Sequence, residues 1–396
     1  MTIDKTLTGK YALINSSFYL IYAIMWGYAA LYLQAKGFTN TEIGVIFAVA
    51  AAGSILLQFW LGPFLDRHVR LSAKHVIFAL HLVMTLSVLA MLLAPSHAVT
   101  TFSYTIIMTI LLVDAALFNT FGMEFINAGL TLDFSLCRGL GSLAYSIASL
   151  LTGFLVQRAG ADSILTAFFL IQGVSYLTLL FLKPVERPTA REDIPEQQPD
   201  TVSQLFHKRP ALLLLLTSIL LMYLSYTAIN NFHINIIESV GGGSRELGIS
   251  TAIAAFVELP VMAAFLRLAR RFSYGNMLRF SCAFFVIKVL LTAFAASVPA
   301  VYAAQCLQLL SYGLFIPAST YYINAVLGPA NIAKGQTLLG IFTFGLSGLI
   351  SGAMSGVLLD HFSVRTTLLI YTVLAATGFS GLLLAMRRVD KAPRSA

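Results

Sequence analysis

Residues 121–145 read Phe-Gly-Met-Glu-Phe-Ile-Asn-Ala-Gly-Leu-Thr-Leu-Asp-Phe-Ser-Leu-Cys-Arg-Gly-Leu-Gly-Ser-Leu-Ala-Tyr, and they set Glu124 and Arg138 beside two long apolar runs, roughly 101–124 and 138–157. An ionisable group at membrane depth costs a few kcal/mol even on the gentlest insertion scale, so such groups pair, line a cavity or serve transport. Runs of this kind recur along almost the whole chain. Of its 396 residues 58% are hydrophobic and 11% charged, against roughly 25% charged in a soluble domain. Each run is long enough, at about 20 residues, to cross a hydrocarbon core about 30 Å thick. The strands of a membrane barrel would instead alternate over about 10 residues. The pattern predicts an all-α, polytopic membrane protein.

Counting outward from 121–145 gives twelve spans, roughly 11–34, 41–64, 74–94, 101–124, 138–157, 163–183, 211–237, 247–269, 275–295, 299–325, 336–358 and 364–386. Turn signals such as Pro95-Ser96 and Gly241-Gly242-Gly243-Ser244 separate them. Basic residues crowd alternate loops: Lys5 and Lys10; Arg67, Arg70 and Lys74; Lys183 through Arg209; Arg267, Arg270 and Arg271; Arg387 through Arg394. The opposite loops hold Lys36, Arg158, Arg245 and Arg365. The bias puts both termini in the cytoplasm of a cell whose inner membrane the protein crosses. It also explains the net charge of +8 without any nucleic acid. The N-terminus enters the first span without a small-residue cleavage site, so no removed signal peptide is expected.

The stretch 184–210, rich in Pro, Glu, Asp and Arg, reads as a cytoplasmic linker between an N-terminal half, 1–183, and a C-terminal half, 211–396. The halves echo each other. Thr41-Glu42-Ile43-Gly44 before a span ending Asp66-Arg67 is matched, at a constant offset, by Arg245-Glu246-Leu247-Gly248 before a span ending Arg270-Arg271. Cys137, Cys282 and Cys306 have no metal-type spacing, and no cofactor or metal is expected. No His-Glu-x-x-His, Gly-x-Ser-x-Gly or phosphate loop is present, which argues against an enzyme.

Gly62-Pro63-Phe64-Leu65-Asp66-Arg67-His68-Val69-Arg70 resembles the signature loop of the major facilitator superfamily, with His68-Val69 displacing the usual glycine. Thr41 to Ala48 and Arg138-Gly139-Leu140-Gly141-Ser142-Leu143-Ala144-Tyr145 resemble the second and fifth helices of the lactose permease, or oligosaccharide:proton symporter, family. That resemblance implies two six-helix pseudo-repeats, a site near the bilayer midplane, and a monomer. It also implies that Arg138 and Glu124 grip solute hydroxyls while Tyr145 stacks on the ring, that Glu258 and Lys288 stand in the proton-coupling positions, and that Asp66 and Arg67 gate. The residue chemistry agrees. Arg138 offers a planar fork of donors, Glu124 offers acceptors, and Tyr145, two helical turns on, faces the same way as Arg138. An ordinary ion pair at a helix mouth, with Tyr145 in an interfacial belt, explains the same residues.

The pattern departs from the family where the tenth helix should carry ionisable groups. Counting on from Lys288, those positions fall on Gln305, Gln308 and Ser311. In the seventh helix two acidic positions fall on Thr227 and Asn230, while Tyr226 is kept. Asn230, Gln305 and Gln308 thus present amides, which bind hydroxyls and carboxylates alike. Gln305 also matches the phenylpropionate-transporter branch, so an aromatic acid stands beside a sugar as solute. The small faces Ser142, Ser146, Ser149, Gly153 and Gly348, Ser351, Gly352, Ser355, Gly356 read as helix packing surfaces. The lone His75, His81 and His233 read as satisfied or interfacial. The sequence therefore points to a secondary transporter in which a small polar solute, favoured as a sugar, moves with protons by alternating access. An uncoupled facilitator or exporter remains open.

Overall fold

A computed structural model describes residues 4–68, 71–183, 201–327 and 331–391, with the side chains of Asp66, Asn127, Ser135, Ala333 and 389–391 outside that description. Most of linker 184–210 lies outside the described residues; its end forms a short helix, Val202–Lys208.

Among the described residues twelve helices are long and apolar enough to cross a membrane. They are α1 Lys5–Ala35, α2 Asn40–Leu65, α3 Ala73–Leu93, α4 His97–Ile126, α5 Leu136–Ala159, α6 Ser163–Phe181, α7 Pro210–Asn231, α8 Ser244–Leu268, α9 Tyr274–Ala293, α10 Val298–Leu327, α11 Lys334–His361 and α12 Val364–Arg388. The helix starts are written locally. Asp4, Ser72, Ser96, Asp133 and Ser273 each accept a hydrogen bond from a first-turn backbone N–H, satisfying a donor that no helical carbonyl can reach. Thr39 and Glu42 close a reciprocal capping box at α2. At the equivalent place in the repeat, Glu246 accepts from the Gly243 N–H at 2.9 Å. Glycines at positive φ, Gly129 (83°) and Gly160 (78°), turn the chain on either side of α5, a conformation a Cβ would disfavour.

Three spans are less regular than their hydropathy predicts. α1 breaks between Met25 and Ala29. α10 passes through a 3-10 turn, Leu307–Leu309, before resuming at Tyr312. α11 contains a π-helical turn, Ile341–Leu346. Such departures free backbone polar groups inside apolar sequence, and they are tolerated where protein or a cavity satisfies them.

The chain forms two compact units, Met1–Glu192 with Gly242–Phe256 and Asp193–Gly241 with Val257–Ala396. In the first, α1 packs on α5 and α6, and α3 packs on α4 and α6. In the second, α7 packs on α11 and α12, and α9 packs on α10 and α12. Adding six to each helix number of the first set yields the second, so the short sequence echo extends to the packing of the helices. The first unit also shows what the small residues of α5 do. Ser146 Oγ donates to the Ala252 carbonyl at 2.9 Å. A Cβ built on Gly153 would lie 3.1 Å from the Gly248 Cα, so α5 and the start of α8 touch backbone to backbone, as small faces permit. On α11, Ser351 Oγ donates to the Leu224 carbonyl at 3.0 Å and Ser355 Oγ lies 2.6 Å from the Tyr371 hydroxyl. Leu56, Phe59, Trp60, Leu170, Leu177 and Leu180 remain exposed, as lipid-facing residues should.

Candidate functional site

In the first unit, Glu124 ends up buried at the start of α3. Its Oε2 accepts from the Ser72 hydroxyl at 2.5 Å and its Oε1 from the Ala73 backbone N–H at 2.9 Å. An anion at a helix N-terminus meets unsatisfied N–H groups and the positive end of the helix dipole. Glu124 therefore has a capping role that its sequence context did not signal, because Ser72 lies 52 positions away. Arg138 is exposed on the first turns of α5. Its neighbour Cys137 is pinned to α1, where Asn15 Nδ2 donates to the Cys137 carbonyl at 2.9 Å. Tyr145, one residue before Ser146 and its bond to α8, is half-buried, its ring 6.1 Å from that of Tyr22. Tyr22 stacks on Trp26 at 5.5 Å and 6°, and Trp26 meets Phe47 at 5.6 Å. Tyr145 thus joins an aromatic wall formed by α1, α2 and α5. Of the gating pair, Arg67 is exposed at the end of its helix, and the side chain of Asp66 falls outside the described residues.

In the second unit three of the sequence candidates are brought into one chain of contacts. Lys288 of α9 donates to Gln308 Oε1, and Gln308 Nε2 donates to Glu258 Oε1 at 2.8 Å. The amide serves one charge with each of its two ends, as only Asn or Gln can. Lys288 is 4%, Gln308 3% and Glu258 9% exposed, so the positive and negative charges answer each other away from water. The irregular turn of α10 is where Gln308 sits. A Cβ on Gly313, one turn on, would lie 3.3 Å from the Glu258 Cα, so the glycine lets α10 approach the carboxylate's own backbone. Gln305 lies one turn back with Nε2 3.3 Å from the His233 ring, and His233 is buried. Asn230 donates to the Tyr226 carbonyl at 2.7 Å, within its own helix. Tyr226 stacks on Tyr312 at 4.6 Å and 5°, giving this unit a flat aromatic pair beside its amides.

Two buried contacts join the candidates in the structure. His233, which reads from the sequence as a satisfied histidine, has Gln305 Nε2 3.3 Å from its ring. Asp114, a lone carboxylate inside the run 101–124 with no local sign of a partner, meets His81 at 3.1 Å with both side chains fully buried. Among the described residues no group of His, Cys, Asp and Glu could hold a metal ion.

Among the described residues, twelve apolar helices in two repeated sets, with buried charged residues in both, define a polytopic membrane protein of the major facilitator fold. The chain belongs to the MFS_1 like family, whose model matches residues 12–370. The solved nucleoside transporter NupG is similar over 96% of this chain and 99% of its own, with 14% identity and a TM-score of 0.78; a point mutant of it gives 15% and 0.80. A bacterial homolog of the human lysosomal transporter Spinster, in an inward-facing and unoccupied conformation, is similar over 98% of this chain and 97% of its own, with 11% identity and a TM-score of 0.68. No curated protein matches the chain by sequence. The protein is a multi-pass membrane transporter of a small solute, and not an enzyme.

Proposed function

We propose that the protein is a proton-coupled symporter of a small polyhydroxylated solute, with a sugar or oligosaccharide favoured. The observation that carries the coupling is the buried chain Lys288, Gln308, Glu258. A proton taken up by Glu258 removes the charge that Lys288 answers, so the loaded and empty forms differ in local charge. A difference of that kind biases one access state over another. Gln305 and Gln308 replace ionisable groups, yet Gln308 keeps the two charges in contact, which favours coupling over simple facilitation.

For the solute, the first unit offers the Arg138 fork, the Glu124 carboxylate and the Tyr145 ring, and the second offers Asn230, Gln305 and Gln308. Aromatic faces bind the apolar side of a sugar ring while the charged and amide groups take its hydroxyls. The basic residues on alternate loops favour an inner-membrane protein with cytoplasmic termini, divided into halves at 1–183 and 211–396 by the linker 184–210. A second reading, an aromatic or other organic acid, is favoured by the exposure of Arg138, whose guanidinium pairs with carboxylates in two-point fashion. The test is uptake by proteoliposomes of the full-length protein, with internal pH recorded by a trapped dye. The panel comprises mono- and disaccharides, aromatic acids and, because NupG carries them, nucleosides. A sugar that acidifies the lumen as it enters supports the proposal; transport of any solute without proton movement refutes the coupling.

A further inference from the structure

The first unit holds a second buried charged cluster that takes no part in the Glu258, Gln308, Lys288 chain. His81 of α3 and Asp114 of α4 have fully buried side chains, with Nε2 3.1 Å from Oδ2. α6 closes the other side of the ring, placing Gln172 Nε2 3.0 Å and Ser175 Oγ 3.4 Å from His81 Nδ1. Ser175 Oγ in turn accepts from Ser17 Oγ of α1 at 3.3 Å. Four helices therefore converge on one imidazole.

Nearby titratable groups leave this pair to itself. Tyr176 turns a ring edge to His81 at 6.3 Å, and its hydroxyl meets Thr85 at 3.0 Å. Tyr11 and Tyr104 donate to the carbonyls of Phe118 and Met25. Lys74 and Glu124 are bound at the helix ends, to the Leu182 carbonyl and to Ser72 with Ala73. His97 pairs with Glu42, and His75 is exposed.

A count of hydrogens shows what the cluster lacks. An amide nitrogen only donates, so His81 Nδ1 accepts from Gln172 and Nε2 carries the hydrogen directed at Asp114. In that state Asp114 Oδ1 and Gln172 Oε1 are buried acceptors with no hydrogen-bond partner. Buried polar atoms are seldom left so. One added proton answers the charge, because a fully buried carboxylate beside a neutral ring has no cation to balance it. With Gln172 turned end for end, a proton on Nδ1 gives Oε1 its donor, and the resulting imidazolium faces the Asp114 carboxylate.

We propose that His81 and Asp114 form a proton-binding site in the first unit, in which His81 takes a proton from water on Nδ1 as the Gln172 amide reverses and Asp114 holds the charge at Nε2. The ring nitrogen gains an N–H bond and nothing is oxidised or reduced. The site is independent of the solute and of the Glu258 reading, and the test needs neither. Full-length protein labelled with 15N-histidine is placed in lipid nanodiscs, and side-chain nitrogen signals are followed from about pH 4.5 to 9. The His81 signal is the one lost in His81→Gln. The expected result is passage from a neutral ring protonated at Nε2 to a doubly protonated ring as pH falls. Asp114→Asn should weaken proton affinity at least about tenfold, and Gln172→Glu, which places a carboxylate at Nδ1, should strengthen it at least about tenfold. A His81 that keeps one protonation state throughout in both the parent and Gln172→Glu overturns the proposal, as does a midpoint that neither variant moves. Should Asp114→Asn fail to fold, the Gln172→Glu titration decides.

Discussion

Replacing Lys288 with Met should destabilise the protein severely, and replacing Glu258 with Gln in the same molecule should restore much of the loss. The reason lies in the geometry of the buried chain. Lys288 and Glu258 are joined through the two ends of the Gln308 amide, and opposite unit charges separated by one such amide attract by on the order of 2–3 kcal/mol at an effective dielectric near 20. Lys288→Met removes that attraction and leaves the buried Glu258 carboxylate without the charge that Lys288 supplied, a change that costs about 3–5 kcal/mol when one partner of a buried pair is lost. In the double variant the glutamine at position 258 is neutral, the methionine at position 288 fills the apolar space, and the Gln308 amide still has a partner. The two single losses should therefore exceed the loss in the double variant by about 2–3 kcal/mol. The assay is reversible unfolding of purified protein in detergent, applied to the parent, both singles and the double as a thermodynamic cycle. Additivity within about 0.5 kcal/mol, the behaviour of independent sites, would refute the claim that these residues carry opposite charges in the folded protein.

Three further outcomes follow from other contacts. Glu258→Gln in proteoliposomes should abolish accumulation against a gradient while sparing solute exchange; retained accumulation would exclude Glu258 as the proton carrier. A Cβ on Gly248 would lie 2.6 Å from the Ser149 carbonyl oxygen and 2.6 Å from the Tyr28 hydroxyl, so Gly248→Val should cost about 1–3 kcal/mol by overpacking, read as a lower melting temperature, and an unchanged melt would contradict the close approach of α5 and α8. Glu124 and Arg138 should separate by assay: Glu124→Ala removes the anion at the α3 N-terminus and should lower stability by about 1–2 kcal/mol, whereas Arg138→Ala, at an exposed position, should melt within about 0.5 kcal/mol of the parent yet lose uptake of the transported solute.

Some of the candidate site was readable along the chain because charge is conspicuous in apolar sequence. Glu258 and Lys288 stand out inside their spans for that reason, and the amides at Gln305 and Gln308 came from counting on from Lys288 to the positions that the family resemblance makes ionisable. What counting could not supply was partnership. Gln308 is 20 positions from Lys288 and 50 from Glu258, and nothing local says that one amide bridges both. Glu124 makes the same point, since the fold gives it the Ser72 hydroxyl and the Ala73 N–H from 52 and 51 positions away, which nothing in its local sequence announces. His81 looked like a lone histidine because Asp114 and Gln172 arrive from two other helices.

The sequence by itself determined the twelve apolar spans, the caps that start several of them, the paired halves and the major facilitator class. These rest on local quantities: run length against bilayer thickness, first-turn hydrogen bonds, and a repeat at constant offset. The tertiary structure alone decided where the spans break, which helices neighbour which, and how each buried charge is answered. Those outcomes depend on side chains from different helices meeting in a medium without water, where an ionisable group must find its hydrogen bonds in whatever the packing brings to it.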